Sequence, residues 1–175
     1  FTATETAQFL EQVLGGAPFN VAWHLQAFGG APYFVSSVGD DPEGKRIRDA
    51  MRAWGMDTEG LQTDPRHPTG RVRVSLDAGE PSYEIVDHCA YDYIDLDGEV
   101  ARPACGLLYH GSLALRNPVP ARSLDLLKTH GAETIFVDVN LRDPWWSRER
   151  VLAMVRDADW VKLNRDELAL LGGGS

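Results

Sequence analysis

The sequence predicts an α/β protein: a parallel sheet with helices on both faces, and a small antiparallel hairpin set beside it. Three observations carry this. Extended stretches alternate with helical ones over most of the 175-residue chain. One stretch in the middle, residues 71–88, changes to a period of two. Polar residues gather where the predicted parallel strands end, and open sheets of this class hold ligands there.

Residues 4–14 read as a short helix or irregular lead-in, with Phe9, Leu10 and Val13 at helical spacing. Gly15-Gly16-Ala17-Pro18-Phe19-Asn20 then turns into a helix. Pro18 fits a first turn, where a missing N–H is harmless. Val21, Leu25 and Phe28 continue at helical spacing to a stop at Gly29-Gly30. Asn20 offers a donor and an acceptor on that first turn, a place suited to a polyol hydroxyl or an anion. Residues 33–38 are a strand candidate ending in Gly39-Asp40-Asp41-Pro42. Asp41 and Pro42 are N-cap and first-turn chemistry for a helix carrying Ile47, Ala50, Met51 and Trp54 to Gly55. That accounts for Asp41 more fully than for Gly39 and Asp40.

Residues 71–76 alternate polar and apolar, 77–80 turn, and 82–88 run extended again. A hairpin with one solvated face suits a lid or side sheet. The alternation then resumes with a strand at 107–110, Gly111-Ser112 at its end, a helix at 120–130 stopped by Gly131, and a strand at 134–139. Trp145 and Trp146 are expected to bury against the sheet. Ser147 caps a helix running to about residue 158, with Val151, Leu152 and Val155 on its inner face. A last strand at 160–163 leads to a helix beginning at Asn164.

Composition sets limits. Apolar residues make up 43% and charged residues 25%, as in globular domains. A net charge of −9 argues against nucleic acid as the main partner. No apolar run reaches the roughly eighteen residues a membrane span needs. Cys89 and Cys105 are too few for a disulfide scaffold, so the expectation is a reducing cytoplasm. His88, Cys89, Cys105 and His110 match no zinc spacing.

Gly39, Asp40, Gly111, Ser112, Asn140, Arg142, Asn164 and Glu167 all fall at predicted carboxyl ends of strands. Asn164-x-x-Glu167 is a capping-box pattern and also a place where hydrated Mg²⁺ and phosphate can be held. Arg142 has a plainer alternative in a surface pair with Asp138 or Asp143.

Five stretches in order resemble the motifs of the ribokinase-like carbohydrate kinase family. They are Gly15-Gly16-Ala17-Pro18-Phe19-Asn20-Val21-Ala22, Val38-Gly39-Asp40-Asp41-Pro42-Glu43-Gly44, Thr69-Gly70, Asp138-Val139-Asn140-Leu141-Arg142 and Asn164-Arg165-Asp166-Glu167-Leu168. The first and fourth are most similar to fructokinases. The resemblance implies a ribokinase-like fold, with residues 1–68 and 89–175 as its α/β core. Residues 69–88 would be a β lid, which in some members pairs two subunits as a homodimer. It also implies ATP- and Mg²⁺-dependent phosphoryl transfer to a sugar hydroxyl. Gly15, Gly16, Asn20, Asp40, Ser112 and Arg142 would meet the sugar, Arg142 alternatively the moving phosphoryl group. Asn140, Asn164 and Glu167 would organise phosphate and Mg²⁺ through water, with no direct metal ligand.

Ketodeoxygluconate kinase, since Arg142 equally suits a substrate carboxylate, or another ribokinase-like kinase is the alternative within this class. A non-catalytic sugar-binding module is the alternative outside it. A dinucleotide-binding oxidoreductase is disfavoured, since the glycine doublet is not Gly-x-Gly-x-x-Gly. The family's first strand has no counterpart ahead of Gly15, and its Gly-Ala-Gly-Asp stretch, which bears the general-base Asp, has none after Glu167. The expectation is the sugar-binding half of a kinase, truncated at both ends, with its catalytic Asp outside this chain.

Overall fold

The computed structural model describes residues 14–77, 80–96 and 106–173. Residues 4–13 of the lead-in expected at 4–14, the turn residues 78–79 and Cys105 lie outside them. Helix α1 spans Ala17–Ala27 and starts from Gly16 at φ 121°, a conformation that favours glycine. Strand β1 (Ser36–Gly39), helix α2 (Pro42–Ala53) and strand β2 (Leu61–Asp64) form one β-α-β unit. The two strands pair parallel from Ser36 with Leu61 to Gly39 with Asp64.

The core here gathers Phe19, Ala22, Val38, Met51, Met56 and Leu61. Burying Met51 completely contributes about 1.5–3 kcal/mol. Trp23 stacks on Trp54 with centroids 5.2 Å apart, and Phe19 meets Phe34 edge-on at 5.8 Å, so aromatic pairs fasten α1 to what lies beneath. The inner face of α1 is therefore Phe19 and Ala22. Leu25 and Phe28, which continue the helical spacing, are 40% and 88% exposed.

Strand β1 begins at Ser36 rather than at 33, because Tyr33 and Phe34 precede the ladder and Phe34 packs on the core. Strand β2 has no expectation behind it. Its sequence, LQTD, is too short and polar to show a period, and its ladder partner creates it. Gly60 admits the approach, since a Cβ there would lie 2.7 Å from the Phe34 carbonyl oxygen.

Strands β3 (Val72–Asp77) and β4 (Glu80–Ile85) pair antiparallel as a separate two-stranded sheet. The extended run expected to reach residue 88 stops at Ile85. His88 turns back at φ 53°, and the chain enters a 3₁₀ turn, Ala90–Tyr93, where the Asp92 carboxylate accepts the Cys89 N–H at 3.1 Å.

The second parallel sheet has the order β5 (Leu108–Gly111), β6 (Ile135–Asp138), β7 (Trp160–Lys162). Ser112 leads into a 3₁₀ turn, Leu113–Arg116, and then helix α3, Pro118–Thr129. That helix starts two residues ahead of expectation because Pro118 occupies a first-turn position. Helices α4 (Arg148–Arg156) and α5 (Arg165–Gly172) follow β6 and β7. Val137, Val139, Val151 and Leu171 make the core, joined by Trp146. Only half of the tryptophan expectation holds: Trp145 lies instead under the Arg116 guanidinium, 4.4 Å from its ring centre. Among the described residues the parallel strands form two sheets, β1-β2 and β5-β6-β7, with α1 packed beside β5.

Candidate functional site

One cluster is built at the carboxyl ends of β5, β6 and β7. Asn164 caps α5: its Oδ1 accepts the Glu167 N–H at 2.9 Å, and Glu167 Oε2 accepts the Asn164 N–H at 2.8 Å. The expected capping box is present. Glu167 also does something a cap does not require. Its Oε1 accepts the Leu141 N–H at 2.8 Å, tying the loop after β6 to the start of α5. Glu167 is buried, so its two amide–carboxylate bonds, from Asn164 and Leu141, operate in a low dielectric.

On the other flank Ser112 Oγ donates to the Val139 carbonyl at 2.6 Å, fixing the end of β5 to the end of β6. Between these two anchors Asn140 sits at φ 42°, in the left-handed region that Asn tolerates better than most residues. Arg142 follows, exposed. The surface pair considered for it does not form: Asp138 binds Lys162 Nζ at 2.8 Å, and Asp143 accepts the Trp146 indole N–H at 2.7 Å.

Sequence reasoning missed Lys162. Tyr109 on β5, Asp138 on β6 and Lys162 on β7 stand across three adjacent strands, with the tyrosine hydroxyl donating to Asp138 at 3.0 Å. Burial, then the bond to Asp138, pushes the Tyr109 phenol well above its ordinary range. Lys162 brings an exposed cation within two residues of Asn164. Strand alternation would have put it on an outward face, and its place at a strand end was the available signal.

A second cluster lies at the ends of β1 and β2. Asp41 caps α2 by accepting the Gly44 N–H at 2.7 Å. It also receives the Thr69 hydroxyl at 2.6 Å and the Thr69 N–H at 2.8 Å. Thr69 Oγ in turn accepts the Gly39 N–H at 2.9 Å. Burial raises the Asp41 carboxyl, but the bonds from Thr69 and Gly44 and the charge of Arg71 outweigh it and hold the group below the usual range. Gly39 is required because a Cβ would stand 2.7 Å from both the His67 carbonyl and the Thr69 nitrogen. Asp40 is exposed, with its N–H donated to the Asp64 carbonyl at 3.0 Å. Close by, Asp64 Oδ2 meets His67 Nδ1 at 2.7 Å, and the His67 ring stacks on Tyr93 at 3.7 Å.

Gly15, Gly16 and Asn20 are exposed at the start of α1. Asn20 borders a recess of about 220 Å³ with Leu14, Phe19, Trp23 and His24. The structure thus joins Ser112, Asn140, Asn164 and Glu167 through one bonded loop and places Arg142 on it. Asp40 and the Gly15–Asn20 turn stand in separate groups, with no hydrogen bond linking them to that loop among the described residues. A hollow of about 670 Å³ belongs to none of these groups. It lies along Arg116, Trp145, Trp146 and Arg150.

The carboxylates bear on Mg²⁺. Both oxygens of Glu167 and both of Asp138 already accept hydrogen bonds. Such groups fit a hydrated ion held through water rather than by direct ligation. Among the described residues no three His, Cys, Asp or Glu side chains converge as a direct site. No described helix is long and apolar enough to cross a membrane.

In open sheets of parallel strands ligands are held outside the carboxyl ends of the strands, and this cluster stands at such ends, anchored by a capped helix start. The sequence matches the pfkB family of carbohydrate kinases over residues 2–174, and the chain belongs to that family. Probable fructokinase-7 of Arabidopsis thaliana is 30% identical over 173 residues, covering 91% of this chain and 50% of the relative. Fructokinase from Xylella fastidiosa with bound ATP has a TM-score of 0.79 at 27% identity, covering 90% of this chain and 52% of that one. Fructokinase from Vibrio cholerae O395 in its fructose, ADP and calcium ion bound form has a TM-score of 0.73 at 29% identity, covering 92% and 55%. The chain therefore spans about half the length of the curated relatives it matches, and it carries their ribokinase-like fold.

Proposed function

We propose that the full-length protein transfers the γ-phosphoryl group of ATP to a hydroxyl of a sugar, with fructose the first candidate. The observation that carries this is the Glu167 junction, which holds the Asn140–Arg142 loop and the Asn164 helix start as one rigid strand-end platform. The fructokinases with bound ATP, and with fructose and ADP, support the choice of substrates. Fructose rather than a sugar acid is favoured by the company of fructokinases in the comparisons.

In this reading Gly15, Gly16, Asn20, Asp40 and Ser112 line the sugar pocket. Arg142, with no carboxylate partner among the described residues, meets the sugar or the moving phosphoryl group. Asn140, Asn164 and Glu167 order the water around Mg²⁺, and Lys162 adds a cation at the same edge. Bound Mg²⁺ neutralises charge on the transferring phosphoryl group and orients the phosphate oxygens. The general base is assigned to none of the described residues, because Asp138 is committed to Tyr109 and Lys162 and Glu167 to backbone amides. Residues 69–88 act as a lid that excludes water, and they offer the route to a homodimer.

A coupled assay on the full-length protein, run with ATP and a panel of sugars, tests this. Phosphorylation of fructose in preference to 2-keto-3-deoxygluconate is expected. The reverse preference selects the ketodeoxygluconate kinase alternative, and no phosphorylation of any sugar sinks the kinase reading.

A further inference from the structure

Arg116 stands outside the strand-end cluster, at the close of the 3₁₀ turn that follows Ser112. Its side chain is 4% exposed and Asp92, its partner, 0%. Nε and Nη2 donate to the two Asp92 oxygens at 2.7 and 2.6 Å. Nη2 also reaches the Val86 carbonyl at 3.1 Å, the Tyr91 hydroxyl at 3.3 Å and Asp87 at 3.5 Å. The guanidinium carbon stands over the Trp145 ring, 4.4 Å from its centre. Trp145 in turn donates its backbone N–H to the Arg142 carbonyl at 2.8 Å. One planar cation therefore bonds the exit of the β3-β4 hairpin on one side and, through Trp145, the loop bearing Arg142 on the other.

Stability alone does not explain such a group. A buried ion pair gains little over well-packed apolar side chains of the same volume. A guanidinium differs in having several donors fixed in one plane, over which an aromatic ring can stack. That is a device for orientation. We propose that Arg116 is a positioning residue for sugar phosphorylation. It sets the hairpin exit at Val86–Asp87 against the Arg142 loop, so that the lid and Arg142 reach the sugar in register. The inference rests on the kinase reading and on the hairpin as lid.

The test uses the full-length protein with Arg116→Met combined with Asp92→Asn. This pair leaves no unpartnered buried charge and keeps an acceptor for the Cys89 N–H. Amide hydrogen exchange is measured in residues 80–86 and 140–147, and steady-state constants on whichever sugar the wild type phosphorylates. The double variant is expected to melt near the wild type, to exchange about tenfold faster in both segments, and to show a sugar KM raised about tenfold with the ATP KM unchanged. Arg116→Lys is expected to share the raised sugar KM, since a point charge lacks the planar fork. Wild-type exchange in either segment, or a wild-type sugar KM in the double variant, overturns the proposal. A wild-type protein that phosphorylates no sugar overturns the kinase reading instead, and the exchange measurement separates the two failures because it needs no turnover.

Discussion

Glu167 accepts the backbone N–H of Leu141 at 2.8 Å, across 26 residues of sequence, while holding the Asn164 N–H with its other oxygen. The start of α5 and the exit of β6 are one mechanical unit because of that carboxylate. Replacing Glu167 with Ala leaves two amides without their acceptor, which costs about 1–3 kcal/mol. Glu167→Gln is expected to lose stability too, since its NH₂ turns a donor toward one of the amides. A wild-type melting temperature for both variants by calorimetry would show that the junction carries no load.

Asp41 gives the fold an acid limit. Its folded carboxyl lies below its ordinary value of 3.8, with burial opposing the shift and the Thr69 and Gly44 bonds prevailing. A lowered folded value contributes stability that is fully present above the unfolded pKa and is lost as pH falls through the folded one. Urea unfolding from pH 6 down to pH 3 is therefore expected to show stability declining below about pH 4–5 in the wild type and declining less in Asp41→Asn, which retains capping ability. Equal slopes in the two proteins would refute the assignment.

Gly44 is a packing constraint within the first turn of α2. A Cβ there would collide with the Gly39 carbonyl oxygen and stand 3.0 Å from Thr69 Oγ. Gly44→Ala is expected to destabilise by about 1–3 kcal/mol despite alanine's better helix propensity, because overpacking against backbone has no cheap relief. A stabilised variant in chemical denaturation would contradict the close approach.

Arg142 separates activity from stability. It is exposed and its expected carboxylate partners are bonded elsewhere. Arg142→Ala is expected to leave stability within about 0.5 kcal/mol of the wild type. In the full-length protein it is expected to lower kcat/KM for the sugar by about 10²–10³, the scale of losing one preorganised charged donor in the transition state. Unchanged kcat/KM would remove Arg142 from the site.

What could be read from the sequence was what is local in the chain. Asp41-Pro42 and Asn164-x-x-Glu167 announce helix starts within four residues, and both caps form as written. Their second partners, Thr69 and Leu141, lie 28 and 26 residues away and leave no trace in any local period. Strand β2 escaped for a similar reason: four residues, LQTD, become a strand only because β1 lies alongside. On α1 the spacing of Val21, Leu25 and Phe28 was real, yet the buried side went to Phe19 and Ala22, because Val38, Met51, Leu61 and Phe34 form the core on that side. Arg116 was silent for the same cause, since its meaning is entirely in partners from other segments.

The backbone of Asn140 has a genetic consequence. At φ 42° most side chains are disfavoured, and only glycine and a few short polar residues occupy that region readily. A library sampling every codon at position 140 would therefore pass through two successive filters. Selection for folded protein alone should return Asn and Gly, with Asp behind them. Selection for phosphorylation should then strike out Gly if the amide group of Asn140 is used, and keep it if only the turn is. The enrichment ratio of those two codons reads the chemical role of the residue apart from its conformational one.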